Sequence, residues 1–150
     1  MIPATPYEVV LRLYDLISGP ADQERDWAAV QELFHPEAVL RSELTLPDGT
    51  HQSGRWTPAE FAAEGAEEYR KDGFWEREVA GRVEEYGNIA HVWSTYESRV
   101  GGPEGPPAIR GINSVQLLRR DGRWWITDVL FQIELGAGDI PTDYRPEPNS

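Results

Sequence analysis

The sequence predicts an α+β fold, with three N-terminal helices packed on an antiparallel β-sheet. Three observations carry the prediction. Thr5-Pro6-Tyr7-Glu8 and Thr57-Pro58-Ala59-Glu60 are capping boxes with proline at the first helical position, and each opens a helical stretch. From Phe74 onward the pattern changes to the alternation of strands. Gly111 to Glu134 reads as one long hairpin about Asp121-Gly122, a strong short-range hairpin signal. Helices first and strands last place the helices on one face of the sheet.

Taken in order, the first helix presents Val10, Leu13, Tyr14 and Ile17 on one apolar face and ends at Gly19-Pro20. A shorter helix runs from about Asp26 to Phe34, burying Trp27 and Val30, and Pro36 stops it. Ala38 to Leu44 is a short strand, turned by Pro47-Asp48-Gly49. The third helix runs from Thr57 to about Lys71, closed by Asp72-Gly73. Trp75 to Glu85 is a strand exposed on one face, and Tyr86-Gly87-Asn88 turns it into a strand from Ile89 to Val100. GGPEGPP, residues 101–107, reads as a flexible polar loop. The stretch after Gly136 has no periodicity and reads as loosely ordered. No internal repeat and no domain boundary are visible, so the expectation is a single domain over 1–150 with its core at about 5–134.

A two-residue turn at Asp121-Gly122 pairs Arg120 with Arg123, Leu117 with Ile126, Val115 with Asp128 and Asn113 with Leu130. One face then carries Asn113, Val115, Leu117, Trp124, Ile126, Asp128 and Leu130. The other carries Trp125, Val129, Phe131 and Ile133, with Ile112 and Leu118 from the partner strand. Both faces are apolar. If the helices cover the first, a second copy of the chain is the simplest cover for the second, giving a homodimer through Trp125, Val129, Phe131 and Ile133. In a monomer, the C-terminal stretch laid back by Ile140 and Tyr144 would be the next cover.

Net charge is −12, which repels phosphate backbones and anionic lipid, so neither nucleic acid nor membrane is an expected partner. Cysteine is absent, which removes disulfides and thiolate chemistry. No signal peptide or membrane span is visible, and the expected compartment is the cytoplasm. The basic residues are almost all arginine, with Lys71 the single lysine, a bias that hints at a GC-rich bacterial genome. The histidines, His35, His51 and His91, lack metal-type spacing, and the nucleotide-binding glycine patterns are absent, so no metal or other cofactor is expected. His35 reads as a cap on the second helix.

Asp128 is the first catalytic candidate. In the register above it faces the helices among Val115, Ile126 and Leu130, where desolvation would raise its pKa and suit it to general-base work. Two other readings stay open: an Asp satisfied by Asn113 or an arginine, or a one-residue bulge that turns it outward. Tyr14 and Tyr96 both fall on inward-facing positions and could donate hydrogen bonds to a substrate carbonyl or enolate. They could equally be core residues with a polar tip.

Leu13-Tyr14-Asp15 in the first helix, LFHPEA from Leu33, IAHVWSTYESR from Ile89, then RGINSVQLL and DGRWWI together resemble the nuclear transport factor 2-like superfamily in its SnoaL-like branch, over residues 5 to 134. The resemblance implies a strongly curved sheet wrapped around three helices into a cone with a pocket, and dimerisation through the outer sheet face. The superfamily holds isomerases, dehydratases, cyclases, hydrolases and binding domains, so the likeness speaks to fold more than to chemistry. In the ketosteroid-isomerase relatives the base is an aspartate on the first strand. The matching position here is Ser42, which cannot remove a carbon-bound proton, whereas Tyr14 matches the relatives' oxyanion-stabilising tyrosine.

The expectation is therefore a pocket protein for a small, largely apolar organic molecule, with or without cofactor-free proton transfer or hydration and dehydration. Asp128 and Tyr14 would be catalytic, and Tyr96, Asn113, Trp27, Trp56 and Ser42 would bind the ligand. The alternative is a non-catalytic dimeric binding or scaffold domain whose cone is filled by Trp27, Trp56, Phe61 and Trp124.

Overall fold

The computed structural model describes residues 3–105 and 109–146. The chain runs α1 (Pro6–Ile17), α2 (Trp27–Glu32), β1 (Phe34–Thr45), β2 (His51–Trp56), α3 (Pro58–Asp72), β3 (Trp75–Tyr86), β4 (Ile89–Arg99), β5 (Ile109–Arg120) and β6 (Arg123–Ile133), with a 3-10 turn at Thr142–Tyr144. Among the described residues, three α-helices lie against a six-stranded sheet of order β2-β1-β6-β5-β4-β3. The α+β class stands, and two details differ from expectation. The helices are not all N-terminal, because the β1–β2 hairpin intervenes before α3. HQSGRW has no β-branched residue and no apolar alternation, so β2, an exposed edge strand, leaves no periodic signal. The sheet is mixed rather than antiparallel, because β6 returns beside β1 and runs parallel to it.

Both threonine caps form. Thr5 accepts from the Glu8 N–H at 3.1 Å and Thr57 from the Glu60 N–H at 3.1 Å. The box is reciprocal only at Thr57, whose N–H reaches Glu60 at 2.9 Å, whereas Glu8 takes the Ala4 N–H instead. β1 starts earlier than read and carries Pro36 within it. A register shift between Phe34 and Val39 accommodates the missing N–H. His35 caps no helix: its Nδ1 accepts from the Glu37 N–H at 3.1 Å.

The hairpin turn is as expected, with Asp121 at φ 56° and Gly122 at φ 76°, both left-handed as the tight hairpin turn requires. Pairing follows the expected register as far as Leu117 with Ile126. There a bulge inserts Thr127, and Gln116 pairs with Asp128, Val115 with Val129 and Asn113 with Phe131. One extra residue inverts every later position of β6. Val129, Phe131 and Ile133 turn toward the helices, while Asp128, Leu130 and Gln132 turn out. The expectation that Asp128 faces the helices is thus corrected, and so is the apolar outer set: of Trp125, Val129, Phe131 and Ile133, only Trp125 faces outward.

The core lies between α1 and the inner sheet face, where Val9, Val10, Leu13 and Ile17 meet Val92, Val115, Leu117 and Ile126. Residues 137–146 of the C-terminal stretch pack on the sheet rather than lying loose as expected, and residues 147–150 lie outside the described residues. Ile140 is buried, Thr95 Oγ1 donates to the Tyr144 carbonyl at 2.6 Å, and the Tyr144 ring lies 5.6 Å from Trp93. The stretch therefore lies across part of the outer sheet face. Of the expected loop at 101–107, Gly105 accepts from Arg99 Nε at 2.6 Å, and Pro106 and Pro107 lie outside the described residues. Among the described residues, no helix is long and apolar enough to cross a membrane.

Candidate functional site

The interior of the sheet is polar where α1 crosses it. Tyr14, on the buried face of α1, places its hydroxyl 2.7 Å from Ser94 Oγ of β4 and accepts from Asn113 Nδ2 of β5 at 2.9 Å. All three residues are buried. Either hydroxyl can be the donor in the Tyr14–Ser94 bond. Burial raises the Tyr14 pKa, the nearby Glu76 carboxyl adds to it, and the Ser94 and Asn113 bonds oppose it.

β3 contributes two carboxyls to the same face. Glu76 and Glu78 stand opposite Ser98 and Tyr96 of β4. Glu78 Oε2 accepts a short hydrogen bond from the Tyr7 hydroxyl, while Oε1 is buried with no partner among the described residues. Burial raises the Glu78 pKa, against the Tyr7 and Ser94 hydroxyls. The bond to Glu78, followed by burial, pushes Tyr7 up to about 12.

Glu76 differs. Its backbone N–H is anchored on Ser18 Oγ at 2.9 Å, but its carboxyl makes no hydrogen bond among the described residues. The residue is half-buried, and burial among its neighbours pushes its pKa up to about 8. Its field reaches Tyr14, Tyr69 and Tyr96, whose pKa values are all raised, chiefly by burial. The hydroxyls of Tyr69 and Tyr96 are likewise without a hydrogen bond among the described residues.

Beside this cluster is an aromatic cavity of about 190 Å³, lined by Trp56, Phe61, Glu64, Gly65, Glu68, Tyr69 and Phe131. Tyr69 on its wall feels the Glu76 charge, and Phe131 pairs with Asn113 on one side and Ser42 on the other. The Trp56 ring runs nearly parallel to Phe131, 6.3 Å between centroids. It lies over Gly54, where a Cβ would come within 2.5 Å of the indole and 2.7 Å of Ser42 Oγ. Trp27 meets Phe61 edge-on at 6.4 Å and Tyr69 at 5.9 Å, seated against Gly65, where a Cβ would be 2.5 Å from its ring. Trp27 thus backs the cavity wall without lining it. Larger hollows of about 380 Å³, beside Arg25 and Arg70, and about 300 Å³, under the C-terminal stretch, lie away from the carboxyls.

The structure brings Tyr14, Tyr96 and Asn113 together and puts Trp56 and Ser42 at the neighbouring cavity. Asp128 is exposed on the opposite face, across from Gln116. Trp124 is buried in the core, and Trp56 and Phe61 border a cavity rather than closing it. The sequence reading missed Tyr7, Tyr69, Glu76 and Glu78. In WEREV, alternation sends Trp75 and Val79 inward and the glutamates out, and the opposite holds. The available signal was the shared parity of Glu76 and Glu78, uninterpretable without the β3–β4 register. His51 Nδ1 lies 3.2 Å from Thr45 Oγ1 and His91 Nε2 3.0 Å from Ser114 Oγ. Among the described residues, no three His, Cys, Asp or Glu side chains assemble as a metal site.

No protein-family model matches the chain, and no curated protein matches it. Solved structures do. A protein of unknown function with a cystatin-like fold from Nostoc punctiforme superposes with a TM-score of 0.62 at 11% identity, over 88% of this chain and 93% of that one. An NTF2-like protein of unknown function from Pseudomonas putida gives 0.61 at 12% identity, over 84% and 82%. The chain has the NTF2-like, cystatin-like fold. A candidate dehydratase of the NTF2-like family from Streptomyces avermitilis superposes at 0.56 with 17% identity, over 84% and 91%. Likeness at these identities is one of NTF2-like fold, and the chemistry rests on this chain's own side chains.

Proposed function

We propose that this NTF2-like chain binds a small, largely apolar organic molecule and performs cofactor-free proton transfer on it, in the manner of the SnoaL-like branch. Glu76 is the acid–base group. What supports the reading is the Glu76 carboxyl itself, placed by the β3–β4 register on the inner sheet face with Tyr14 and Tyr96 and free of hydrogen bonds among the described residues, where burial pushes its pKa up to about 8. A general acid–base group works best with a pKa near the ambient pH. Near neutrality Glu76 is mostly protonated, so it can give a proton to a leaving hydroxyl or carbonyl oxygen and take one back as carboxylate. The Tyr96 hydroxyl, on the same inner face and without a hydrogen bond among the described residues, is the donor for a developing oxyanion. Tyr14, held by Ser94 and Asn113, stiffens the floor of the site. Asp128 has no part in this reading.

The test is exchange of carbon-bound hydrogen in a panel of small ketones and hydroxy acids in D₂O, followed by proton NMR. Wild type should accelerate exchange or water elimination for at least one member, and Glu76→Gln should abolish it while remaining folded. Equal rates for the two proteins would end the assignment.

A non-catalytic binding domain is the second reading, and cavity size favours it: about 190 Å³ is below the roughly 300–1,000 Å³ of common ligand sites. Self-association belongs to either reading. With the corrected register its surface is Trp125, Leu118 and Leu130, the last 46% exposed, and light scattering at micromolar concentration decides it.

A further inference from the structure

We infer that the aromatic cavity between α3 and the β1–β2 edge takes a small organic cation, a quaternary or protonated amine, as the charged part of the ligand. This rests on the proposal that the chain binds a small organic molecule beside the Glu76 cluster, with that cavity holding one end of it. Its walls are the rings of Trp56, Phe61 and Phe131, with Tyr69 at the inner end. Tyr69 has one neighbour stacked on it, Phe74 at 4.3 Å, and the Arg25 guanidinium 5.5 Å from its centroid. The protein already satisfies one cation on this aromatic group, and the ring faces of Trp56, Phe61 and Phe131 offer the same quadrupole to a ligand.

Charge points the same way. Glu64 and Glu68 are the charged residues at the rim, and among the described residues no lysine or arginine lines the cavity. Glu64 accepts a short hydrogen bond from Trp56 Nε1 through one oxygen, which leaves the other toward solvent and fixes the indole. Glu68 is shared with Lys71 at 3.2 Å, both largely exposed, so solvent screens that pair. A net charge of −12 raises the local concentration of cations over the whole surface. Apolar walls would accept a neutral ligand as readily. Aromatic walls with an acidic rim and no base discriminate in favour of positive charge.

The probe is choline, set against 3,3-dimethyl-1-butanol, which has the same shape without the charge. Binding is read from the indole N–H resonance of Trp56 and from calorimetry. Choline should shift that resonance and bind at least about fivefold tighter than the alcohol. Trp56→Leu should lose most of this preference. Glu64→Gln, an exposed substitution that leaves folding intact, should weaken choline several-fold and reduce the sensitivity of binding to salt. The inference is overturned if choline does not bind, if the alcohol binds as well as choline, or if Glu64→Gln leaves choline affinity unchanged. Choline binding by Glu76→Gln alongside lost hydrogen exchange would support both readings. Choline failure with intact Glu76-dependent exchange would sink the cation alone.

Discussion

Replacing Glu76 by glutamine should make the protein more stable at alkaline pH, and the size of the effect follows from where the carboxyl lies. Burial moves its pKa from 4.5 to about 8. Below the lower value the carboxyl is protonated whether the chain is folded or not, and it contributes nothing to the pH dependence. Between the two values the folded chain holds a proton that the unfolded chain has released, so stability falls as pH rises, by up to about 1.4 kcal/mol per pH unit. Above about 8 the ionised carboxyl is carried in both states and the full penalty is present, on the order of 5 kcal/mol as an upper bound. The residue is half-buried, so solvent screening brings the gap below that bound. Glutamine has no such dependence. Urea unfolding of both proteins from pH 5 to pH 9 measures the difference, in which the titration of every other group cancels. The stability gap should open with rising pH in favour of Glu76→Gln. A gap constant to within about 0.5 kcal/mol across the range would show that the carboxyl is solvated in the folded chain.

Tyr14→Phe should cost roughly 2 kcal/mol in denaturant titration, because it strands the buried Ser94 hydroxyl and Asn113 amide at once. Thr57→Ala should cost about 1 kcal/mol by the same measurement, since it removes a formed reciprocal cap. Truncation after Leu135 uncovers the outer face around Trp93 and removes the Tyr144 and Ile140 contacts, so light scattering should show increased self-association and thermal melting a lower midpoint.

Much of this fold was legible in the sequence because local chemistry announced it. The Thr-Pro-x-Glu boxes fixed the starts of α1 and α3, and Asp121-Gly122 fixed the β5–β6 turn. What escaped was non-local. The bulge at Thr127 has no glycine or proline to mark it, yet it inverts the second half of β6 and with it both the Asp128 site and the apolar outer set. β2 is polar and has no alternation, so its pairing with β1 had to come from tertiary context. The site was half legible for the same reason. Tyr14, Tyr96 and Asn113 lie on elements whose inner face is apolar enough to orient them. Glu76 and Glu78 point inward from an edge strand, against the pattern of their neighbours, and only the pairing of β3 with β4 reveals it.

The account stands on the state of one carboxyl, and side-chain carbon NMR of a glutamate-labelled sample measures it directly. Titrated from pH 4 to pH 10, one glutamate resonance should move with a midpoint near 8, and it should be missing from Glu76→Gln. If every glutamate titrates in the ordinary carboxylate range, Glu76 is a solvated surface acid and the proton-transfer site proposed around it does not exist.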